Sequence, residues 1–137
     1  MKKLYLFMLI AGFVACKKED VKVNASITDG TYTGTFLYSN RNPAVNYVPL
    51  TGNVTLIMKN RAYTCTSPST SFGAAARGRF DIPGQQIVFT DSLVHTANFD
   101  GNIVLNGTYD AVVKDDSLFL TKTVNTYAVY SYKLKKQ

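Results

Sequence analysis

The chain has 137 residues, 46% of them hydrophobic, and a formal net charge of +6. That length fits one domain with one modest core, and that apolar content excludes a disordered chain. The basic residues Arg41, Arg61, Arg77 and Arg79 are scattered among β-forming segments. Without clustering beside aromatics or glycines they argue against nucleic acid as a partner.

The first residues have the layout of an export signal. Lys2 and Lys3 precede an apolar run from Leu4 to Val14. The run is too short for a membrane-crossing helix, which needs roughly 20 residues. Small Ala15 then stands before Cys16. Charge, apolar run and small residue in this order make a secretory signal, removed in the mature chain. The segment Phe13-Val14-Ala15-Cys16 resembles the bacterial lipobox, with Phe where Leu is usual. The resemblance implies cleavage after Ala15 and acylation of Cys16. Residues 1–15 are then the signal peptide, and residues 16–29 the lipidated cysteine with a polar tether. A membrane held through that lipid is the expected partner, since two or more acyl chains anchor stably.

Lys17-Lys18-Glu19-Asp20 resembles the surface-export signal of Bacteroidota-type lipoproteins, although a plain solvated tether explains it too. By similar likeness, the absence of Asp after Cys16 disfavours retention in the inner membrane. The expected address is the outer membrane, at its periplasmic face or at the cell surface. With Cys16 acylated, Cys65 has no intrachain partner, so the domain folds without a disulfide. Cys65 sits in the β pattern Tyr63-Thr64-Cys65-Thr66 and reads as a buried, inert thiol.

Residues 30–137 form one all-β domain. No window has a useful helical period, and apolar and polar residues alternate in short runs. Eight strands are predicted: Thr31–Tyr38, Gly52–Met58, Ala62–Thr66, Arg77–Ile82, Gln85–Thr90, Asn102–Val113, Ser117–Thr121 and Thr126–Leu134. In the first, Tyr32, Gly34, Phe36 and Tyr38 share one face, and Thr31, Thr33 and Thr35 the other. In the sixth, Ile103, Leu105, Gly107, Tyr109 and Ala111 share the apolar face. One wet face per strand is the mark of an antiparallel sheet.

The connections add more. Lys59-Asn60-Arg61, Pro83-Gly84 and Lys114-Asp115-Asp116 read as tight hairpin turns. Ser39 to Thr51, Ser67 to Ala76 and Asp91 to Gly101 are long, and the last link, around Lys122 to Asn125, is intermediate. Alternating short and long links put the tight turns at one end of an up-and-down sheet and the long loops at the other. That asymmetry suits an eight-stranded antiparallel barrel with a mouth. The opening Gly30-Thr31-Tyr32, the long first loop and the strand count resemble the lipocalin-like (calycin) barrels, with Tyr in place of Trp. A β-sandwich of the same strands is the alternative.

Loop parity puts Tyr47, Phe72, His95 and Phe99 at the long-loop end, with Arg41 and Arg77 nearby. Aromatics with a few cations could hold an amphipathic or anionic small molecule there. Alternatively the barrel is filled by its own side chains, chiefly Phe36, Phe80, Phe89, Tyr109 and Tyr132. No enzyme is expected. Glu19, the sole glutamate, is in the tether, and His95 is the sole histidine and reads as a solvated loop residue. Convergent acid–base groups and multi-histidine metal sites are therefore lacking, and no cofactor is implied. The two readings that remain are a lipid-anchored binding module and a structural or interaction lipoprotein of the envelope with a filled core.

Overall fold

Strict inside–outside alternation determines how this chain closes. The computed structural model describes residues 26–44, 46–68, 76–95 and 103–137. Its strands are β1 (Gly30–Asn40), β2 (Leu50–Lys59), β3 (Ala62–Thr66), β4 (Ala76–Asp81), β5 (Gln86–Asp91), β6 (Gly107–Lys114), β7 (Ser117–Val124) and β8 (Ala128–Lys136). Each pairs antiparallel with the next, and β8 returns to β1, so the sheet is a closed up-and-down barrel. This is the expected lipocalin-like architecture, and the sandwich alternative is set aside. The closing pair runs in register from Tyr32 opposite Lys136 to Asn40 opposite Ala128.

The inward rows are apolar and buried. They include Tyr32 and Phe36, Leu56 and Met58, Tyr63 and Cys65, Ile87 and Phe89, Tyr109 and Ala111, Leu118 and Leu120, and Tyr132 and Leu134. Burying each large member is worth about 1.5–3 kcal/mol. The outward row of β1, with Thr31, Thr33 and Thr35, stays partly or fully wet.

Two inward positions must lack a side chain. A Cβ on Gly34 would lie 1.9 Å from the carbonyl oxygen of Lys133, and one on Gly78 equally close to that of Thr90. At these two places the neighbouring strand passes where the side chain would stand, which bends the sheet inward.

Three turns close one end. Asn60-Arg61 links Lys59 to its partner Ala62 with φ of 51° and 62°, the left-handed pair of a type I′ hairpin. Gly84, at φ 66°, turns β4 into β5, and Asp115, at φ 53°, turns β6 into β7. The N-terminal segment reaches the barrel at this same end. Asp29 accepts a hydrogen bond from the Asn60 amide at 2.8 Å, and the Tyr32 hydroxyl donates to the Thr28 carbonyl at 2.6 Å.

Two sequence expectations are corrected. The sixth strand does not begin at Asn102: Ile103, Val104 and Leu105 are all buried and form a turn before β6 starts at Gly107. Three consecutive buried residues break the alternation of a strand, and Gly107 has φ 91°. The seventh strand does not end at Thr121 but continues to Val124. The last link is therefore only Asn125-Thr126-Tyr127, where Asn125 and Thr126 take φ of 51° and 66°. Short and long loops alternate in six of the connections, but this seventh one is short. The predicted signal peptide, Cys16, Phe72 and Phe99 lie outside the described residues.

Candidate functional site

The lower and middle barrel is filled by rings. Phe80 meets Phe89 at a centroid distance of 6.3 Å, Phe89 meets Tyr109 at 5.9 Å, Tyr109 meets Tyr132 at 5.8 Å, and Tyr132 meets Phe36 at 4.9 Å. Tyr63 joins the chain edge-on to Phe89 at 4.8 Å. These spacings are the favourable range for tilted and edge-on aromatic pairs.

The polar tips in this core differ in partner. The Tyr63 hydroxyl donates to the Leu105 carbonyl at 2.7 Å and so pins the buried Ile103–Leu105 turn to the barrel. The Tyr109 and Tyr132 hydroxyls are buried beside one another without the geometry of a hydrogen bond. Burial drives the pKa of all three phenols well above the ordinary range. It also pushes the Cys65 thiol up to about 12. A thiol so protonated is no nucleophile at neutral pH.

Above the rings, toward the long loops, the inward row changes character. Tyr38 on β1 pairs with Tyr130 on β8, and Tyr130 pairs with Lys122 on β7. Their parity follows from the strands themselves: Leu118, Leu120 and Lys122 alternate inward, as do Tyr130, Tyr132 and Leu134. Tyr38 and Tyr130 lie 4.7 Å apart between centroids, and Tyr47, from the first long loop, stands edge-on to Tyr38 at 5.2 Å. The Lys122 ammonium lies 4.6 Å from the Tyr130 centroid and 4.8 Å from the Tyr109 centroid. It donates to the Asn106 carbonyl at 2.7 Å.

Lys122 is half-buried, yet among the described residues no carboxylate pairs with it. Desolvation pulls its pKa below the ordinary lysine value. Two aromatic faces and one carbonyl hold the charge in place of a counter-ion.

The residues singled out from the sequence are distributed as follows. Tyr47 joins the tyrosine row. Arg41 donates its backbone N–H to the Tyr127 carbonyl at 2.9 Å, which ties the first long loop to the last hairpin, and the residue is exposed. Arg77 is also exposed, on the outward row between buried Ala76 and the inward Gly78. His95 is not a solvated loop residue as expected. Its Nε2 lies 2.5 Å from Oδ2 of Asp91. Burial pushes the Asp91 pKa up, but hydrogen bonds from His95 and from the amides of Arg77 and Leu93, together with the histidine charge, outweigh it and lower the value. This cluster staples the start of the third long loop to β4, because Asp91 Oδ1 accepts from the Arg77 amide at 3.0 Å.

Sequence reasoning missed Lys122. The signal was present: extending the Leu118–Leu120 alternation by two residues puts Lys122 on the inner face. Clefts formed by described residues lie elsewhere. One, of about 330 Å³, sits on the outer face by Gly34, Val54 and Pro68. Two more lie at the tight-turn end, one of about 210 Å³ between Tyr32, Asp115 and Lys136 and one of about 250 Å³ by Asn60, Arg61 and Phe80. Among the described residues no group of three metal-ligating side chains converges.

The chain matches no family model, no curated protein and no solved structure.

Proposed function

We propose that this protein is an exported, lipid-anchored binding module that holds a small apolar or amphipathic molecule at the long-loop end of its barrel. The observation that carries the reading is the row Tyr38–Tyr130–Lys122 with Tyr47 packed onto it. Concave aromatic surface with one or two placed polar groups is what small-molecule sites are made of. The rings below it fill the barrel, so the ligand would rest on the row instead of entering a deep calyx.

Anchoring rests on the lipobox-like Phe13-Val14-Ala15-Cys16. The described end of the tether leaves from the tight-turn end, which agrees with a mouth turned away from the lipid. Outer-membrane location, at either face, is part of the same proposal. Labelling with palmitate should mark the chain and fail on Cys16→Ala.

The binding test is a titration of the purified protein with a fluorescent fatty acid. Saturable binding is expected, weakened at least tenfold by Tyr47→Asp and by Tyr38→Ala. Absence of saturable binding would leave the second reading, an envelope protein with a filled core and its function on the loops. The unbroken chain of ring contacts from Phe80 to Phe36 is the observation in favour of that reading.

A further inference from the structure

An ammonium group that leaves water needs compensation, and a half-buried one usually finds a carboxylate. Among the described residues Lys122 has aromatic faces and a carbonyl instead. These hold the charge without neutralising it. The other nearby ionic pair is already closed, since Asp91 is engaged by His95. Arg41 and Arg77 are exposed, so Lys122 is the inward-facing cation of the row.

Lys122 is only half-buried, so part of it stays open to solvent. Gly107, at the start of β6, has no side chain, and a Cβ there would come within 3.8 Å of the Lys122 amine. The amine thus rests between the backbone of Asn106 and Gly107 and the two ring faces.

We propose that Lys122 anchors the charged end of the ligand, so that the site takes an anionic amphiphile. This rests on the mouth being a binding site and names the class of molecule it takes. A carboxylate, sulfate or phosphate group would pair with the amine as a charge-assisted hydrogen bond. The apolar part would lie along Tyr38 and Tyr47, above the buried Tyr130. Lys122 binds here and carries out no chemical step.

The test compares ligands of one chain length: decanoate, decyl sulfate, decanol and decyltrimethylammonium, each below its micelle concentration. Titration calorimetry on the purified chain is expected to rank the two anions about tenfold or more above the alcohol, and the cation below it. Lys122→Met should abolish the anion preference, so that anions and alcohol bind that variant alike. Lys122→Arg should keep most of the anion preference. Thermal unfolding of the Met variant checks that it is folded. Equal binding of anions and alcohol by the wild type overturns this inference and leaves the mouth reading standing. So does an anion preference that survives Lys122→Met. Failure of every ligand, the alcohol included, overturns both.

Discussion

Tyr63 and Tyr132 place the same hydroxyl in the same core to opposite effect. That of Tyr63 is bonded to the Leu105 carbonyl, while that of Tyr132 lies buried without a hydrogen bond. Tyr63→Phe should lower stability by about 1 kcal/mol, because it leaves a buried carbonyl unpaired. Tyr132→Phe should keep or raise stability by up to about 1 kcal/mol, because the group it removes is unsatisfied. Urea unfolding of the two variants beside the wild type checks both signs. Lys122 gives a third residue-scale prediction. Its folded pKa is lowered, so the folded state holds this proton more weakly than the unfolded chain does. The resulting cost is fully present at neutral pH and vanishes as pH rises from the lowered value to the ordinary one of about 10.4. Lys122→Met should therefore melt higher than the wild type at pH 7, with a gap that narrows by pH 10. A lower melting point at pH 7 would contradict the desolvation argument. A residue that costs stability in the folded state is the kind that binding function retains.

At the scale of elements, the strands and the two faces of the sheet were legible in the sequence because a half-buried strand has a period of two. Tyr32, Phe36, Tyr109, Tyr132 and Leu134 all lie inward as their spacing requires. Where the strand bounds differ from the pattern the cause is shared: apolar content reads as pairing. Ile103, Val104 and Leu105 are apolar because they pack as a buried turn, so the pattern ran the sixth strand too early. The seventh strand was cut short because Lys122, Thr123 and Val124 look like loop by composition, and that cut hid the inward lysine. The last hairpin turns at Asn125-Thr126, two left-handed residues neither of which is glycine. Turn chemistry of that kind leaves little trace in one sequence. Of the candidate site, Tyr47 is legible from loop parity, and Lys122 only once the alternation of β7 is carried past Thr121. Gly34 carries the element-scale prediction. Gly34→Ala would drive a methyl group into the backbone of β8, and a backbone carbonyl cannot swing aside as a side chain can. The expected loss is several kcal/mol, on the order of overpacking combined with a broken β1–β8 ladder, read as a lowered melting point or failure to fold.

At the scale of the whole molecule, the barrel depends on its two ends. β8 is held by both β1 and β7, with registers that cover nearly its full length. Removing Tyr132 to Gln137 would strip Tyr132 and Leu134 from the core and expose the edges of β1 and β7 together. The truncated chain should lose cooperative unfolding and aggregate, since unpaired edges template further pairing. Size-exclusion chromatography and a thermal melt would show it, and a monomeric cooperative product would refute it. The segment before β1 adds an orientation to this picture. Ser26–Asp29 sits with the tight turns, and Lys136 reaches Thr28 from the other end of the chain at 2.5 Å.

The pairing of first strand with last also has a consequence in time. Gln137 bonds to Thr33 across 104 positions of sequence. No local hairpin can substitute for that contact, and pairings of such long reach form late and slowly. Every strand up to β7 can meet its neighbour as it emerges, yet the ring remains open until the final residues arrive. A chain that travels N-terminus first, as the proposed export requires, would therefore keep an open ring until β8 has been made. The placement of β8 acts as a delay, because ring closure waits for the eighth strand.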